Sequence, residues 1–379
     1  MKLREYCTYR NDRINSDELN THNYISTENL LPNKGGITEA TSIPTGNVVR
    51  YDKGNILISN IRPYFKKIWL ADKSGGCSAD VLCIKSNDKV TSKFLYYLLS
   101  QQSFFDYVMA GAKGCKMPRG DKSHIMEWDV NIPDIDEQKR IADFLSSLDD
   151  KIELNRQIND NLEQQAQALF KSWFVDNKKD SWAVGRVSDF YDVTIGKTPP
   201  RKETQWFSSN CNDVTWVSIS DLGSCGMFIN QSSEYLTPEA IKQFNVSIVP
   251  KGTVLLSFKL TIGRIAISDI NLTTNEAIAH FRTDKDYLLE YTYLALKDYQ
   301  FSTLGSTSSI ATAINSKIIK SMEWIMPFDE DLKGFHALVN PIFEQIKTNI
   351  TEINNLTQLR DTLLPRLMSG ELKINEINC

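Results

Sequence analysis

The sequence predicts an α+β (mixed α/β) protein with a pseudo-two-fold internal repeat, and three observations support this fold class. First, short segments recur in the same order about 196 residues apart. Second, each copy contains short apolar runs separated by glycine-containing turns, which are typical of β-strands. Third, the apolar spacing after Pro133 and again after Pro327 changes to steps of three and four, which indicates two long helices.

Three pairs of matching segments define the repeat. They are residues 24–30 with 216–222, residues 53–59 with 251–257, and residues 126–128 with 322–324. The offsets of 192, 198 and 196 residues are far too long for a solenoid and indicate two copies of one larger unit. We therefore predict α/β domains over residues 1–133 and 179–328, each followed by a helical segment, over residues 134–178 and 329–379.

The first long helix is predicted from the residues that follow Pro133. Asp134 and Glu137 have the spacing of a capping box, and acidic residues suit the positive end of a helix. An apolar seam in alternate steps of four and three follows, and it consists of Ile141, Leu145, Leu148, Ile152, Asn155, Asn159, Leu162, Ala166, Leu169 and Trp173. A seam with this period is typical of a coiled coil, in which polar seam residues weaken packing but fix the register.

The second long helix carries its own apolar stripe, made of Ile342, Ile346, Ile350, Ile353, Leu356, Leu363 and Leu367. Pro341 is predicted to lie in the first turn of this helix, with Asn340 as its cap, because proline breaks a helix interior. Pro365 and Gly370 are predicted to end the helix. Since a long apolar seam is not stable alone in water, we predict that the two helices pack together as an antiparallel coiled coil.

Composition narrows the class of protein. Hydrophobic residues make up 41% and charged residues 24% of the 379 residues, which is typical of a globular protein. Seven cysteines without a C-x-x-C pair favour reduced thiols in a cytoplasm. No apolar run approaches the roughly 20 residues of a membrane span, and the N-terminus lacks the features of a secretory signal. We therefore expect a cytoplasmic protein that has no membrane partner.

The net charge differs between the two predicted domains. The whole chain has a net charge of −4, which excludes a uniformly basic nucleic-acid binder. Residues 1–133 carry 18 basic and 14 acidic side chains, whereas residues 181–327 carry 13 and 14. Binding of nucleic acid through local basic patches therefore remains open.

Residues of the first helix carry a resemblance to a known family. Residues 133–152 (PDIDEQKRIADFLSSLDDKI) and 161–174 closely resemble the central conserved helix of the specificity (S) subunit of type I restriction–modification systems. Residues 363–372 resemble the C-terminal tail of that family, and residues 59–64 and 116–122 resemble segments of one type of its target-recognition domain. The second copy departs from the pattern, because residues 327–333 lack the Glu-Gln pair of the first.

The resemblance implies a non-catalytic DNA-recognition subunit of a restriction–modification complex. Two target-recognition domains would each read one half of a bipartite sequence in double-stranded DNA. The two conserved helices would set the spacer and dock methyltransferase (modification) subunits, two of them, with restriction/translocase subunits outside. S-adenosylmethionine, ATP and Mg²⁺ are then expected only in the partner subunits, with no cofactor or metal in this chain.

Four residues at the end of the first helix are candidates for subunit docking, namely Leu169, Phe170, Trp173 and Phe174. They are predicted either to belong to the core or to form a docking face for a partner helix bundle, and partial docking is favoured because a helical hairpin has a limited interior.

Basic residues beside glycines or aromatic residues are the candidates for DNA contact, because binding needs cations for phosphates and donors for base edges. In the first domain they are Arg62, Lys66, Lys67, Lys113, Lys116, Arg119 and Lys122. In the second they are Lys197, Arg201, Lys202, Lys259 and Arg264, with Thr307 and Ser308 in a polar loop equivalent to the basic loop of the first. Arg119 is the candidate for bidentate contact with guanine. The alternative for each is an ordinary solvated loop or strand face.

Two motifs resemble parts of catalytic or nucleotide-binding sites, but we interpret neither of them as such a site. Asp134, Glu137 and Lys139 spell a PD…E-x-K nuclease site, but they fall in the first turns of one helix, where the acids already serve as cap. Residues 194–198 resemble the end of a phosphate-binding loop. The full motif requires a glycine at position 191, but this position is Tyr191, so the nucleotide-binding interpretation fails. The four histidines show no metal-ligand spacing, and the chain has no Asn-Pro-Pro-aromatic motif. A helical scaffold protein and a stand-alone nuclease remain the alternatives.

Overall fold

The computed structural model describes residues 1–304 and 314–376, which fold into two compact units. Unit 1 consists of Met1–Ile152 together with the chain from Asn355 onward, and unit 2 consists of Glu153–Asn354. Each unit therefore contains one predicted α/β domain and a part of both long helices. The compact units do not follow the predicted linear boundaries, because the helices pack against the domains rather than standing apart from them.

Unit 1 contains two four-stranded sheets and three short helices. Its strands are β1 Cys7–Tyr9, β2 Arg13–Asn15, β3 Tyr24–Ile25, β4 Asn47–Tyr51, β5 Ile56–Ser59, β6 Ile68–Leu70, β7 Gly75–Cys77 and β8 Val81–Ser86. Its short helices are α1 Ser92–Leu99, α2 Gln102–Ala110 and α3 Lys122–Met126. One sheet has the antiparallel order β1-β8-β5-β6, and the other has the order β2-β4-β7-β3, in which β3 and β7 run parallel.

The first long helix, α4, spans Ile135–Phe170 and continues as a π-helical segment over Lys171–Asp176. Asp134 caps it, since its carboxylate accepts a hydrogen bond of 2.9 Å from the backbone N–H of Glu137. The predicted start and cap of this helix are therefore confirmed.

In its described residues, unit 2 contains one five-stranded sheet, one four-stranded sheet, a two-stranded sheet and five short helices. Its strands are β9 Ala183–Arg186, β10 Asp192–Ile195, β11 Phe207–Ser208, β12 Val214–Val217, β13 Phe228–Ile229, β14 Glu234–Leu236, β15 Val254–Ser257, β16 Ile265–Ser268, β17 Thr273–Thr274, β18 Ile278–Arg282 and β19 Glu323–Met326. Its short helices are α5 Val187–Phe190, α6 Ile219–Ser224, α7 Pro238–Gln243, α8 Leu289–Asp298 and α9 Ser316–Lys320. The second long helix, α10, spans Asp329–Ser369.

The sheet topology repeats from one unit to the other. The order β10-β18-β15-β16 in unit 2 matches β1-β8-β5-β6 in unit 1, with β13 added at the edge. The order β11-β14-β12-β17 includes a parallel pair, β12 with β17, as β3 with β7 does in unit 1. The β5–β6 hairpin therefore occupies the same place in the fold as the β15–β16 hairpin, as the sequence repeat predicts.

The two long helices run antiparallel where they meet within each unit. In unit 1, Arg360 donates to Asp149 over 2.7 Å, and apolar residues near the start of α4 share a core with those near the end of α10. In unit 2, Asn155 donates to Glu352 and Asn349 donates to Asn159, each over 2.8 Å. As the residue number increases along α4, the residue number of its hydrogen-bonding partner on α10 decreases, so the predicted antiparallel coiled coil is confirmed. The polar seam residues Asn155 and Asn159 form hydrogen bonds between the two helices.

The prediction for the start of the second helix was wrong. Pro341 lies inside α10, which begins at Asp329 rather than at Asn340. A proline within a helix costs about 3 kcal/mol, because it lacks an N–H donor and its ring crowds the preceding turn. Packing offsets this cost, since Phe335 and Phe343 on either side of the proline are buried in the core of unit 2.

The end of the second helix was predicted in part. Pro365 lies inside α10 and does not end it. Leu363 and Leu367, on either side of this proline, are buried in the core of unit 1 and hold the last turns in helical form. Gly370 follows with a φ of +77°, a left-handed conformation that glycine adopts readily and that commonly ends helices, as predicted.

Each unit has its own apolar core, and the long helices contribute to both. Ile141 and Leu145 of α4 are buried in unit 1, whereas Ala166 is buried in unit 2. No helix within residues 1–304 and 314–376 has the length and hydropathy of a membrane span.

Candidate nucleic-acid interface

The tip of the β5–β6 hairpin presents basic and aromatic side chains. Arg62 and Lys66 flank a short 3₁₀ turn, Pro63–Phe65, and both have a left-handed backbone, with φ of 49° and 51°. Arg62 is exposed, as are the rings of Tyr64 and Phe65, at 47% and 39%. The sequence predicted the cations of this tip but did not assign a role to its aromatic pair.

The predicted basic loop between α2 and α3 lies directly beside this tip. The backbone N–H of Arg62 donates to the carbonyl of Pro118 over 2.8 Å, and the N–H of Gly120 donates to Asn60 over 3.2 Å. Within the loop, Lys113 and Arg119 exchange two backbone hydrogen bonds of 2.9 Å. The structure therefore brings the two predicted clusters of unit 1 together into one surface, which we call the hairpin–loop surface (residues 60–67 and 111–122).

The cations of the hairpin–loop surface differ in how they are held. Lys113 pairs with Asp121 over 2.6 Å, and this ammonium group holds the pKa of Asp121 at about 2. Arg119 pairs with Asp80 over 3.2 Å, while Lys122 lies 5.8 Å from the ring of Tyr9.

The other cations of this surface divide by accessibility. Lys116 is exposed, and within the described part of the chain neither it nor Arg62 has an acidic partner. Lys66 is half-buried. Lys67 donates to the carbonyl of Thr27 over 2.5 Å, and partial burial lowers its pKa, so its ammonium serves the fold at least in part.

In unit 2, the β15–β16 hairpin has an aliphatic tip instead. Leu260 has a left-handed backbone with a φ of 60° and is 98% exposed, and Ile262 is 42% exposed. Ser257 fixes the base of the turn, because its hydroxyl donates to the carbonyl of Thr261 over 2.6 Å and accepts from the N–H of Arg264 over 3.0 Å. Lys259 is exposed at this tip.

The remaining predicted cations of unit 2 are mostly used within the fold. Arg264 donates to the carbonyl of Ile219 over 2.6 Å. Lys197 donates to the carbonyl of Phe244 over 2.5 Å. Arg201 lies over the rings of Phe207 and Trp216, at 4.3 and 4.4 Å, and pairs with Glu234 over 2.8 Å. Lys202 is exposed. Thr307 and Ser308 lie outside the described residues.

The four candidate docking residues divide between the two predicted roles. Phe170 and Phe174 are buried in the core of unit 2, where Phe174 packs edge-on against Tyr291 and Phe335 at centroid distances of 4.9 and 4.8 Å. Leu169 and Trp173 are only partly buried against that core. The first pair are therefore core residues, while the second pair pack against the core and keep part of their surface exposed.

The residues of the nuclease-like motif form contacts in the first turns of α4. Asp134 acts as the cap, and Lys139 lies 4.0 Å from Asp136 on the same helix. Gln138, beside them, is buried; its side chain accepts from the N–H of Thr91. Across residues 1–304 and 314–376, no group of three or more His, Cys, Asp or Glu side chains could hold a metal ion. The acidic residues of this motif therefore have a structural part in the helix start.

Comparison with known proteins identifies the family. The model of the type I restriction modification DNA specificity domain matches residues 1–164 and 179–355. The chain is similar to the HindI specificity subunit of Haemophilus influenzae, with 26% identity over 92% of this chain and 94% of that protein. It is also similar to the MjaIX specificity subunit of Methanocaldococcus jannaschii, with 27% identity over 86% of this chain and 79% of that protein.

A solved structure shares the fold. The crystal structure of the type I restriction–modification S subunit from M. genitalium matches with a TM-score of 0.56 and 17% identity, over 97% of this chain and 95% of that one. The family model covers both copies of the internal repeat, and each copy carries one hairpin of the kind described above. The chain belongs to the family of type I restriction modification DNA specificity proteins.

Proposed function

We infer that this protein is the sequence-specific DNA-binding subunit of a type I restriction–modification complex, and that it performs no chemistry itself. Each unit would read one half of a bipartite site in double-stranded DNA. The observation that carries this proposal is the pair of hairpins that occupy the same position in the repeat. The β5–β6 and β15–β16 hairpins share their topology but differ in their tip residues, which suits a DNA target whose two halves differ in sequence.

Contacts to phosphates and to bases would be divided among the cations. On the hairpin–loop surface, Arg62 and Lys116 are exposed and have no acidic partner within the described chain, so both are available to phosphate. Arg119 suits a base edge, because its pairing with Asp80 orients a guanidinium that remains 55% exposed.

The long helices would set the spacer between the half-sites. At 1.5 Å per residue, α4 with 36 residues and α10 with 41 residues are roughly 54 and 62 Å long. Either length exceeds one turn of DNA, about 34 Å, so an unread spacer between the half-sites is expected. The cations proposed for DNA contact lie in the two α/β domains, which the helices connect.

The partners would be modification subunits, two of them, and restriction/translocase subunits. S-adenosylmethionine, ATP and Mg²⁺ would be bound by those partners, in the cytoplasm. The docking face is proposed on α4, where Leu154 and Ile158 are 50% and 38% exposed and lie one turn apart. Leu169 and Trp173 would extend this face.

The docking face is tested with two substitutions on one helix. Leu154→Asp should abolish co-purification with the modification subunit while leaving the unfolding temperature within a few degrees of the wild type, because the side chain is half-exposed. The matched control, Glu153→Asp, keeps the neighbouring charge and should co-purify normally. Retention of the modification subunit by the Leu154→Asp chain would contradict this location.

The proposed function itself is tested by the salt dependence of duplex binding. The chain, purified with its modification subunit, is titrated into labelled duplex DNA at several salt concentrations. We expect affinity to fall steeply with salt, because phosphate contacts release counterions. A flat salt dependence would support the alternative of a helical scaffold whose α/β domains bind protein.

A further inference from the structure

Two features of the β5–β6 tip are unfavourable for an isolated protein. Arg62 and Lys66 both have left-handed backbone conformations, which cost non-glycine residues free energy. Tyr64 and Phe65, between them, expose their rings to water. Residues held in such conformations on a hairpin tip are candidates for a functional role.

Three backbone hydrogen bonds hold this tip rigidly. The N–H of Asn33 donates to the carbonyl of Phe65 over 2.8 Å, and the N–H of Lys34 donates to that of Lys66 over 3.0 Å. On the other side, the N–H of Arg62 donates to Pro118. The two rings also pack on each other, with centroids 4.7 Å apart. The backbone that carries the aromatic pair is therefore anchored on both sides, which lowers the entropic cost of contact with a ligand.

The corresponding tip in unit 2 has the same combination of features with different side chains. Leu260 is almost fully exposed on a left-handed backbone, and Ile262 is exposed two residues further on. An exposed leucine in this backbone region is rare in any protein. Leu260 lies three residues after Ser257, as the left-handed Arg62 lies three residues after Ser59, and Ile262 takes the place of Tyr64. An exposed apolar side chain beside a left-handed residue at the same place in both hairpins indicates a shared use of both tips.

We propose that the two hairpin tips supply the apolar base contacts of the two half-sites, and that Tyr64 and Phe65 contact the C5-methyl group of a thymine in the major groove. This inference rests on the proposed function and specifies the recognised group. Apolar side chains gain nothing from phosphates, whereas the thymine methyl is an apolar group on a base edge of the major groove. Arg62 and Lys66, which flank the rings, would hold the adjacent phosphates and set the approach.

The test uses the chain in complex with its modification subunit and a duplex that carries its mapped target. The double variant Tyr64→Ala, Phe65→Ala should bind the target about tenfold more weakly or worse, while the slope of affinity against salt stays unchanged, since an apolar contact releases no counterions. Replacing one thymine of the first half-site with uracil removes its methyl group. This change should weaken wild-type binding about fourfold and leave the double variant unaffected.

Controls separate the tip contact from folding and from the proposed function. Tyr64→Phe, which removes only a hydroxyl group, should bind like the wild type. Normal co-purification with the modification subunit would show that the double variant is folded. If the wild-type complex binds target and scrambled duplexes equally, the proposed function fails. If the wild type discriminates and the double variant does so equally well, or if no uracil substitution has an effect, only the inference about the tip is overturned.

The second tip gives a parallel test. Leu260→Ser should relax recognition of the second half-site by about tenfold and leave the first unchanged. Ile248→Ser is the matched control, because Ile248 is also an exposed aliphatic residue of unit 2 but lies outside the hairpin. An equal effect of the two substitutions would overturn the assignment for unit 2.

Discussion

The β5–β6 and β15–β16 hairpins have the same topology but different chemistry. The first joins a basic loop through backbone hydrogen bonds and carries aromatic rings between two cations. The second carries Leu260 and Ile262 beside one exposed cation, Lys259. Strands β5, β15 and β16 are buried throughout and β6 is buried at Ile68, so each tip rests on buried strands while the tip residues differ. Under the proposed function, this difference would assign the target specificity of each unit to a few tip residues rather than to its sheets.

The starts of the long helices show a second difference between the repeats. At α4, the neutral side chain of Gln138 accepts from Thr91 and donates to two carbonyls, those of Lys89 and Pro133. At α10, the carboxylate of Asp331 accepts from Lys179 over 2.7 Å and from the indole of Trp182 over 3.0 Å. The start of the long helix is thus joined to its domain by an uncharged hydrogen-bond network in the first copy, and by an ion pair with the segment before β9 in the second.

The largest expected effect tests whether the buried strands of the two hairpins contribute equally to the stability of the protein. Leu57 on β5 and Leu255 on β15 are both fully buried, at corresponding positions of the two hairpins. Leu57→Ala and Leu255→Ala should each lower the free energy of unfolding by about 3 kcal/mol, because each leaves a cavity in a packed core. Denaturant titration of the purified complex measures both. If one substitution lowered the free energy of unfolding by less than about 1 kcal/mol, the two hairpins would not support their units equally.

An intermediate effect should separate base contact from phosphate contact in unit 1. Arg119→Ala should reduce discrimination at the first half-site by about 1–3 kcal/mol, because it removes a base-edge donor. Lys116→Ala should weaken binding to all duplexes and reduce the salt slope by about one, because it removes a phosphate contact.

Binding to target and scrambled duplexes at several salt concentrations measures both quantities. Neither variant should change recognition of the second half-site. Unchanged target choice by the Arg119→Ala chain would refute its proposed role.

The smallest expected effect concerns pH and the two helix starts. Lys179 holds the pKa of Asp331 below its usual value, so the folded state favours the carboxylate. Its contribution is present above the unfolded pKa of about 4 and is lost as the pH falls through the lower folded pKa. Asp331→Asn should therefore destabilise the protein by about 1 kcal/mol or less at pH 7, and the difference from the wild type should shrink below pH 4.

Gln138→Ala is the control for this prediction, because its hydrogen bonds involve no titrating side chain. Its destabilisation should not change with pH. Thermal unfolding of both variants from pH 7 down to about pH 2.5, well below the unfolded pKa of about 4, would measure the effect. A pH-independent difference for Asp331→Asn would contradict the role of the ion pair.

The fold was predictable from the sequence where burial leaves a periodic pattern. The seam of α4 was found because Ile141, Leu145 and Ile152 recur at helical spacing, and all three are buried. Pro341 was misplaced because local propensity was overridden by packing of its neighbours, which only the folded chain reveals.

The candidate site was less predictable, because it depends on contacts between distant residues. The bond from Arg62 to Pro118 joins two clusters that the sequence treats separately. Arg264 and Lys197 donate to backbone carbonyls far along the chain, and no local pattern indicates this. The exposed tips could have been found from the repeat, since both directly follow the matched segments that end at Ser59 and Ser257.

Whether the two units read two separate half-sites can be measured by co-expressing the chain with its modification subunit and mapping methylated bases across a genome by single-molecule sequencing. We expect a split, asymmetric motif with a fixed unread spacer. A single uninterrupted motif, or a stable complex that adds no methylation, would contradict this expectation.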